Sequence, residues 1–233
     1  MRPSDTHRSQ ALALLPAEGA PELLFLLLHG LGADATQMRP LAQALRGQYP
    51  QAAVLSLQGP QADERLPGGG AGFQWFSPTR DEASALAAAL PGFVAEVRAW
   101  AARFELPWER VALAGFSQGG MLALEAVQAE EKLAGRVLAF GARYAALPGH
   151  APQEVSVHLF HGMADDVLPY QDVVLAARQL LALGADVTAD VRPGIGHELH
   201  PELIDKAMEQ LRSFIPARLW REAMLAAAEQ DKS

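Results

Sequence analysis

Short apolar runs recur along the chain at Glu22–Leu28, Ala52–Leu57, Arg110–Ala114, Arg136–Phe140, Val155–Phe160 and Asp186–Val191. Each is bounded by Gly, Pro or polar residues and is short, so each predicts a strand. Between them, Ala35–Arg46, Glu82–Phe104, Gln118–Glu130, Tyr170–Leu183 and Pro201–Phe214 space their apolar residues by three and four, which predicts helices. Strand and helix alternate, which is the α/β pattern. Runs such as Leu23–Leu28 are apolar on both faces, as in a mainly parallel sheet with helices on both sides. No linker, repeat or charge block interrupts the alternation, so residues 1–233 read as a single domain with its core at about 22–215.

Two segments break the rhythm. One is Gln58–Arg80, with the glycine cluster Gly68, Gly69, Gly70 and Gly72. The other is the tail at 217–230, where Leu219, Trp220, Ala223, Met224 and Ala227 share one helical stripe. That stripe reads first as a helix packed on the body and second as a partner surface.

Composition narrows the function classes. With 50% apolar and 20% charged residues, the 233-residue chain is neither fibrous nor disordered. Its 19 basic and 27 acidic side chains give 19 − 27 = −8, a field that repels phosphate backbones, so nucleic acid is not an expected partner. The absence of cysteine excludes disulfides, a thiolate nucleophile and sulfur-based zinc sites, and suits a reducing compartment. The most lipid-like run, Leu23–Leu28, falls far short of the roughly 20 residues a spanning helix needs, so no membrane span is expected. Arg2 and Arg8 precede the apolar stretch Ala11–Leu15, but that stretch is shorter than the roughly 7–15 residues of a signal core. A cytoplasmic protein is the resulting expectation.

The segment Gly115-Phe116-Ser117-Gln118-Gly119 joins a predicted strand to a predicted helix, which is the setting a G-x-S-x-G nucleophile requires. Flanking glycines let the backbone close sharply around a strained serine, and the helix N-terminus behind it favours developing negative charge. A serine hydroxyl is a weak nucleophile, so a base must take its proton and an acid must orient that base, in the chain order Ser, acid, His. Of seven histidines, His197 and His200 lie late enough. His197 ends the glycine-flanked loop Pro193-Gly194-Ile195-Gly196-His197, whereas His200 abuts Pro201 and reads as a helix cap. The acid is expected after the strand Val155–Phe160, where Asp165 and Asp166 stand side by side and composition does not separate them. His29 and His161 each end a strand before a glycine, and they read as buried imidazoles bonded to loop backbone. The spacings give no support to a metal site.

One rival motif is Gly30-Leu31-Gly32-Ala33-Asp34-Ala35, which matches a dinucleotide-binding turn. The next strand ends Ser56-Leu57-Gln58, without the acidic residue that would hold a ribose. In a hydrolase the same turn has another use, because its backbone N–H can join that of the residue after the nucleophile in holding an oxyanion.

These segments resemble the small α/β-hydrolases of the carboxylesterase, phospholipase and acyl-protein thioesterase family. The resemblance rests on Leu28-His29-Gly30-Leu31-Gly32-Ala33-Asp34, Gly115-Phe116-Ser117-Gln118-Gly119-Gly120, the stretch from His161 and Gly162 through Asp165 to Pro169, and Gly196-His197-Glu198. Gln74-Trp75-Phe76-Ser77 and Gly141-Ala142-Arg143-Tyr144-Ala145 are similar to a bacterial esterase branch. The resemblance implies an α/β-hydrolase fold, Ser117 as nucleophile, Asp165 as orienting acid, His197 as base, and Leu31 and Gln118 as backbone oxyanion donors. Met163 and Leu168 depart from the usual family residues and bear on substrate preference.

The expectation is a serine esterase acting on small-molecule carboxylic esters of short to medium acyl chains through an acyl-enzyme, with no cofactor. A thioesterase or lysophospholipase using the same residues is the alternative, and a nucleotide-binding or catalytically silent binding protein is the remote one. The connection from Ala142 to Glu154 is too short for a helical cap, so the site should be open. Phe73, Trp75 and Phe76, with Leu66, are the candidate acyl wall, unless these aromatics simply complete the core. A homodimer is left open.

Overall fold

A computed structural model describes residues 12–66, 71–79 and 81–230. The glycines at 68–70 and the arginines at positions 2 and 8 lie outside the described residues. In chain order the strands are β1 (Leu12–Leu14), β2 (Leu23–Leu28), β3 (Ala52–Leu57), β4 (Gln61–Ala62), β5 (Phe73–Gln74), β6 (Val111–Phe116), β7 (Arg136–Phe140), β8 (Ser156–Gly162) and β9 (Asp186–Arg192). The helices are α1 (Arg39–Gln48), α2 (Glu82–Arg103), α3 (Gln118–Ala129), α4 (Tyr170–Ala182), α5 (Pro201–Ser213) and α6 (Ala217–Gln230).

A 7-stranded sheet runs in the order β1-β3-β2-β6-β7-β8-β9, and every pairing is parallel except that of β1 with β3. Successive strand side chains point to opposite faces, so an all-apolar strand needs cover on both. Leu24, Leu26 and Leu28 of β2 accordingly pack with α2, α3 and α4, while Phe25 and Leu27 pack with α1 and α5. Leu24, Leu26, Leu27 and Leu28 have no exposed surface, and each buried leucine contributes about 1.5–3 kcal/mol relative to exposure.

Chain order fixes where a site can form. From β2 the chain steps outward to β3, then returns across β2 to β6, so the loops after β2 and β6 leave the sheet side by side at its carboxyl edge. Leu28 is paired with Gly115 at that edge. Such a reversal leaves a crevice where ligands bind in open α/β sheets.

Two helices depart from the sequence expectations. Among the described residues the longest apolar element is α2 rather than β2, and its mean hydropathy of 1.2 makes it long and apolar enough, by length and composition, to cross a membrane. Alanine is its commonest residue, and Leu86, Phe93 and Val97 turn into the core beside the sheet. The expected packing of the α6 stripe on the body is corrected: Leu219, Trp220 and Met224 are 45%, 58% and 71% exposed. Among the described residues the polar contacts of the helix come from its N-terminal end. Ala217 N–H donates to the Asp186 carboxylate at 2.6 Å, Arg218 lies over the Trp108 ring, and Arg221 pairs with Glu154. Between α6 and the sheet lies a groove of about 610 Å³ that Leu219 lines, while Trp220 and Met224 stay largely exposed.

Buried histidines tie the fold to pH. His158 on β8 has no exposed surface, and burial, followed by the nearby Arg136 charge, pushes its pKa down to about 3. Burial also lowers His29 and His161. An unfolded histidine titrates near 6.5, so below that pH the unfolded chain binds more protons than the folded one. Stability from His158 is complete above pH ~6.5 and is lost as pH falls from ~6.5 toward 3, by up to about 1.4 kcal/mol per pH unit. Chemical denaturation at pH 7.5 and 5.5 should show a lower midpoint at the acid value. A midpoint unchanged between the two would contradict neutral buried imidazoles.

Candidate active site

The turn from β6 into α3 is closed by two glycines. A Cβ on Gly115 would stand 2.3 Å from the Gly119 carbonyl carbon, and one on Gly119 would stand 2.5 Å from the Leu28 oxygen. Between them Ser117 adopts φ 51°, ψ −119°, a conformation that costs a non-glycine residue about 1–3 kcal/mol. Its N–H is tied to the Phe140 carbonyl at 2.9 Å, and its own carbonyl accepts from Met121 N–H at 3.0 Å. The strain aims the hydroxyl outward at the carboxyl edge.

His197 lies against the Phe116 ring, with centroids 4.9 Å apart. Ser117 Oγ donates to His197 Nε2 at 3.0 Å, and His197 Nδ1–H donates to Asp165 Oδ2 at 2.7 Å. The loops that carry the acid and the imidazole are pinned together, because Met163 N–H donates to Arg192 O and Ala164 N–H to Ile195 O. Asp165 is therefore the carboxylate at the imidazole, with a side chain closed to solvent, whereas Asp166 is exposed. Burial alone would raise the Asp165 pKa, but N–H donation from Leu168, His197 and Val167 outweighs it and holds the carboxyl below its usual range. An ionised acid, a neutral imidazole and a hydroxyl joined in this order can move a proton from oxygen to nitrogen.

The other histidines take the places expected of them. His200 caps α5 by accepting from Glu202 N–H. His29 Nδ1–H donates to Gly30 O at 2.7 Å and its Nε2 accepts from Gly59 N–H at 2.9 Å, so both ring nitrogens are occupied by loop backbone. His161 Nε2–H donates to Leu168 O at 2.9 Å, and its Nδ1 is buried without a partner.

The Gly30–Gly32 turn packs on the residue before the nucleophile: a Cβ on Gly30 would stand 2.9 Å from the Phe116 ring. Among the described residues, neither Leu31 N–H nor Gln118 N–H has an acceptor within the protein. The candidate acyl-wall aromatics divide. Trp75 and Phe76 are each only 3% exposed and join the core, yet they also line a cavity of about 670 Å³ against α2, with Phe93, Trp100 and Leu122. Phe73 is half-buried and pairs with Ala33 instead of facing that cavity. Sequence reasoning missed the small β4–β5 hairpin and the role of the Gln118 side chain, which reaches across to Trp75 and Phe76. No local pattern announces a side chain whose partner is 43 residues away.

Comparison with known proteins identifies the family. Residues 12–217 match the family described as Phospholipase/Carboxylesterase. The chain is 36% identical over 213 residues to Esterase YpfH of Escherichia coli (strain K12), covering 90% of each. A shorter match, 35% identical over 118 residues, covers 47% of the chain and 50% of Acyl-protein thioesterase 1 of Gibberella zeae. Among solved structures, esterase PE8 superposes with a TM-score of 0.79 at 27% identity, over 88% of this chain and 99% of that one. Zea mays acyl-protein thioesterase 2 shares the fold, with a TM-score of 0.69 at 20% identity over 88% of this chain and 98% of that one. The chain belongs to the phospholipase/carboxylesterase family of α/β-hydrolases and is a hydrolase of this esterase and thioesterase group.

Proposed function

We propose that the protein is a serine esterase for carboxylic esters of short to medium acyl chains. The observation that carries this reading is the chain of hydrogen bonds from Asp165 through His197 to Ser117, centred on a serine in a strained turn. Ser117 Oγ attacks the acyl carbonyl as His197 Nε2 takes its proton. The N–H groups of Leu31 and Gln118, both without acceptors among the described residues, bind the oxyanion of the tetrahedral intermediate. The intermediate collapses, the C–O bond to the alcohol breaks, and His197 returns the proton to the leaving oxygen. Water then gives its proton to His197 and attacks the acyl-enzyme, releasing the acid and restoring Ser117. Asp165 holds Nδ1–H in place and stabilises the imidazolium without accepting its proton. A thioester or lysophospholipid would pass through the same steps with a different leaving group.

The reading of chain length comes from the cover over the site. No helical cap stands between β7 and β8, where the chain from Gly141 to Val155 contains no helix or strand. Each added methylene gains about 0.8 kcal/mol only while it still finds apolar surface. The proposed surface is the cavity walled by Trp75 and Phe76, whose lining includes neither Ser117 nor His197. Rates across p-nitrophenyl esters from two to sixteen carbons should rise over the first members and then fall away, with no jump at the onset of micelles. A monotonic rise to the longest chain, or interfacial activation, would overturn the open-site reading.

A further inference from the structure

The two N–H groups assigned to the oxyanion belong to different loops, and the sheet does not fix their spacing. Register between β2 and β6 ends at Leu28 and Gly115, before either Leu31 or Gln118. An oxyanion hole needs its donors held to within about 0.5 Å, so some further contact must set that distance.

The segment Phe73–Phe76 makes contact with both loops. On one side it is bonded to the turn after β2: Gly32 N–H donates to Phe73 O at 2.9 Å, Phe73 N–H donates to Ala33 O at 2.8 Å, and Trp75 Nε1–H donates to His29 O at 2.8 Å. On the other side it is gripped by the Gln118 side chain. Gln118 Oε1 accepts from Trp75 N–H at 2.8 Å, and Gln118 Nε2 donates to Phe76 O at 2.9 Å. The side-chain amide thus bridges the N–H of one residue and the carbonyl of the next. Gln118 is 5% exposed, and burying an amide is costly unless both of its ends are bonded, as they are here.

We infer that the Gln118 side chain is a positioning residue for the oxyanion hole. By clamping Phe73–Phe76, which is itself bonded to the loop of Leu31, it fixes the Leu31 N–H relative to the N–H of Gln118. The inference rests on the proposed role of those two N–H groups. The oxyanion exists only after attack has begun, so loosening the clamp raises the barrier and leaves ground-state binding alone.

Gln118→Met keeps the length of the side chain and the backbone N–H but removes both amide bonds. Losing an oxyanion donor outright costs about 10²–10³ in kcat, so a displaced one should cost about 10- to 100-fold, with KM for p-nitrophenyl acetate within about twofold of wild type. Affinity for an aryl trifluoromethyl ketone, whose hemiketal oxygen occupies the same hole, should fall in step with kcat/KM. A role in stability alone would lower the melting temperature and move neither quantity in the folded protein. Trp75→Phe keeps a ring but breaks the bond to His29 O, and should lower kcat by about three- to tenfold; the double variant should lose less than the product of the two, because both open one bridge. Wild-type kcat in folded Gln118→Met overturns the clamp. If that variant does not fold, wild-type kcat in Trp75→Phe overturns it. If Ser117→Ala keeps its activity, the underlying esterase reading fails; if Ser117→Ala is dead and Gln118→Met is fully active, only the clamp fails.

Discussion

Ser117→Ala is expected to lower turnover of p-nitrophenyl acetate by about 10⁴- to 10⁶-fold and to abolish labelling by a fluorophosphonate, while the protein stays folded. The catalytic loss follows from the proposed chemistry, because no other hydroxyl stands within hydrogen-bond reach of His197 Nε2 among the described residues. The fold should survive for a separate reason. Strain at this turn lies in the backbone, at φ 51° and ψ −119°, and alanine inherits that strain without adding to it. The bonds that hold the turn are made by the N–H and carbonyl of Ser117, not by its hydroxyl. His197 loses one partner but is 15% exposed, so water can take the vacated place. Circular dichroism and the melting temperature should therefore stay close to wild type. Substantial turnover in the purified variant would remove Ser117 from the mechanism.

How much of this could be read from the sequence depended on how local the physics was. The central strands are continuous apolar runs because both faces are covered, and Ala52–Leu57 and Arg136–Phe140 end where the run ends. Strand β6 continues to Phe116, beyond the expected Ala114, because Gly115 stays in the ladder opposite Ala139 before the chain turns. Strand β1 escaped notice: it is a short antiparallel edge strand, and only its pairing with Ser56, Leu55 and Val54 defines it. The nucleophile turn was legible since its glycines answer a clash within the turn's own neighbourhood. The bridge at Phe73–Phe76 was not, because its partners are the loops after β2 and β6. Asp165 and Asp166 are neighbours of one chemical type, and only the direction in which the loop faces His197 tells them apart.

That direction makes the carboxylates a second decisive test. Asp165 Oδ1 accepts two backbone N–H groups, from Val167 at 2.9 Å and Leu168 at 2.8 Å, and Oδ2 accepts from His197 Nδ1 at 2.7 Å. In Asp165→Asn the two backbone donors retain the amide oxygen, since an NH2 placed there would confront two N–H groups. The NH2 is then forced toward His197 and donates to Nδ1. The imidazole responds by carrying its proton on Nε2, where it faces Ser117 Oγ and can no longer accept a proton from it. Turnover should fall by about 10⁴-fold with little change in KM, since the acid acts on proton transfer and not on substrate binding. Asp166 is exposed, and neither its carboxylate nor an amide in its place meets His197, so Asp166→Asn should cost about tenfold or less. Single-turnover rates with p-nitrophenyl acetate measure both variants directly. Equal losses would mean that the loop as a whole matters and no single carboxylate orients the imidazole. A larger loss in Asp166→Asn would assign that role to Asp166, against the geometry that closes Asp165 from solvent behind His197.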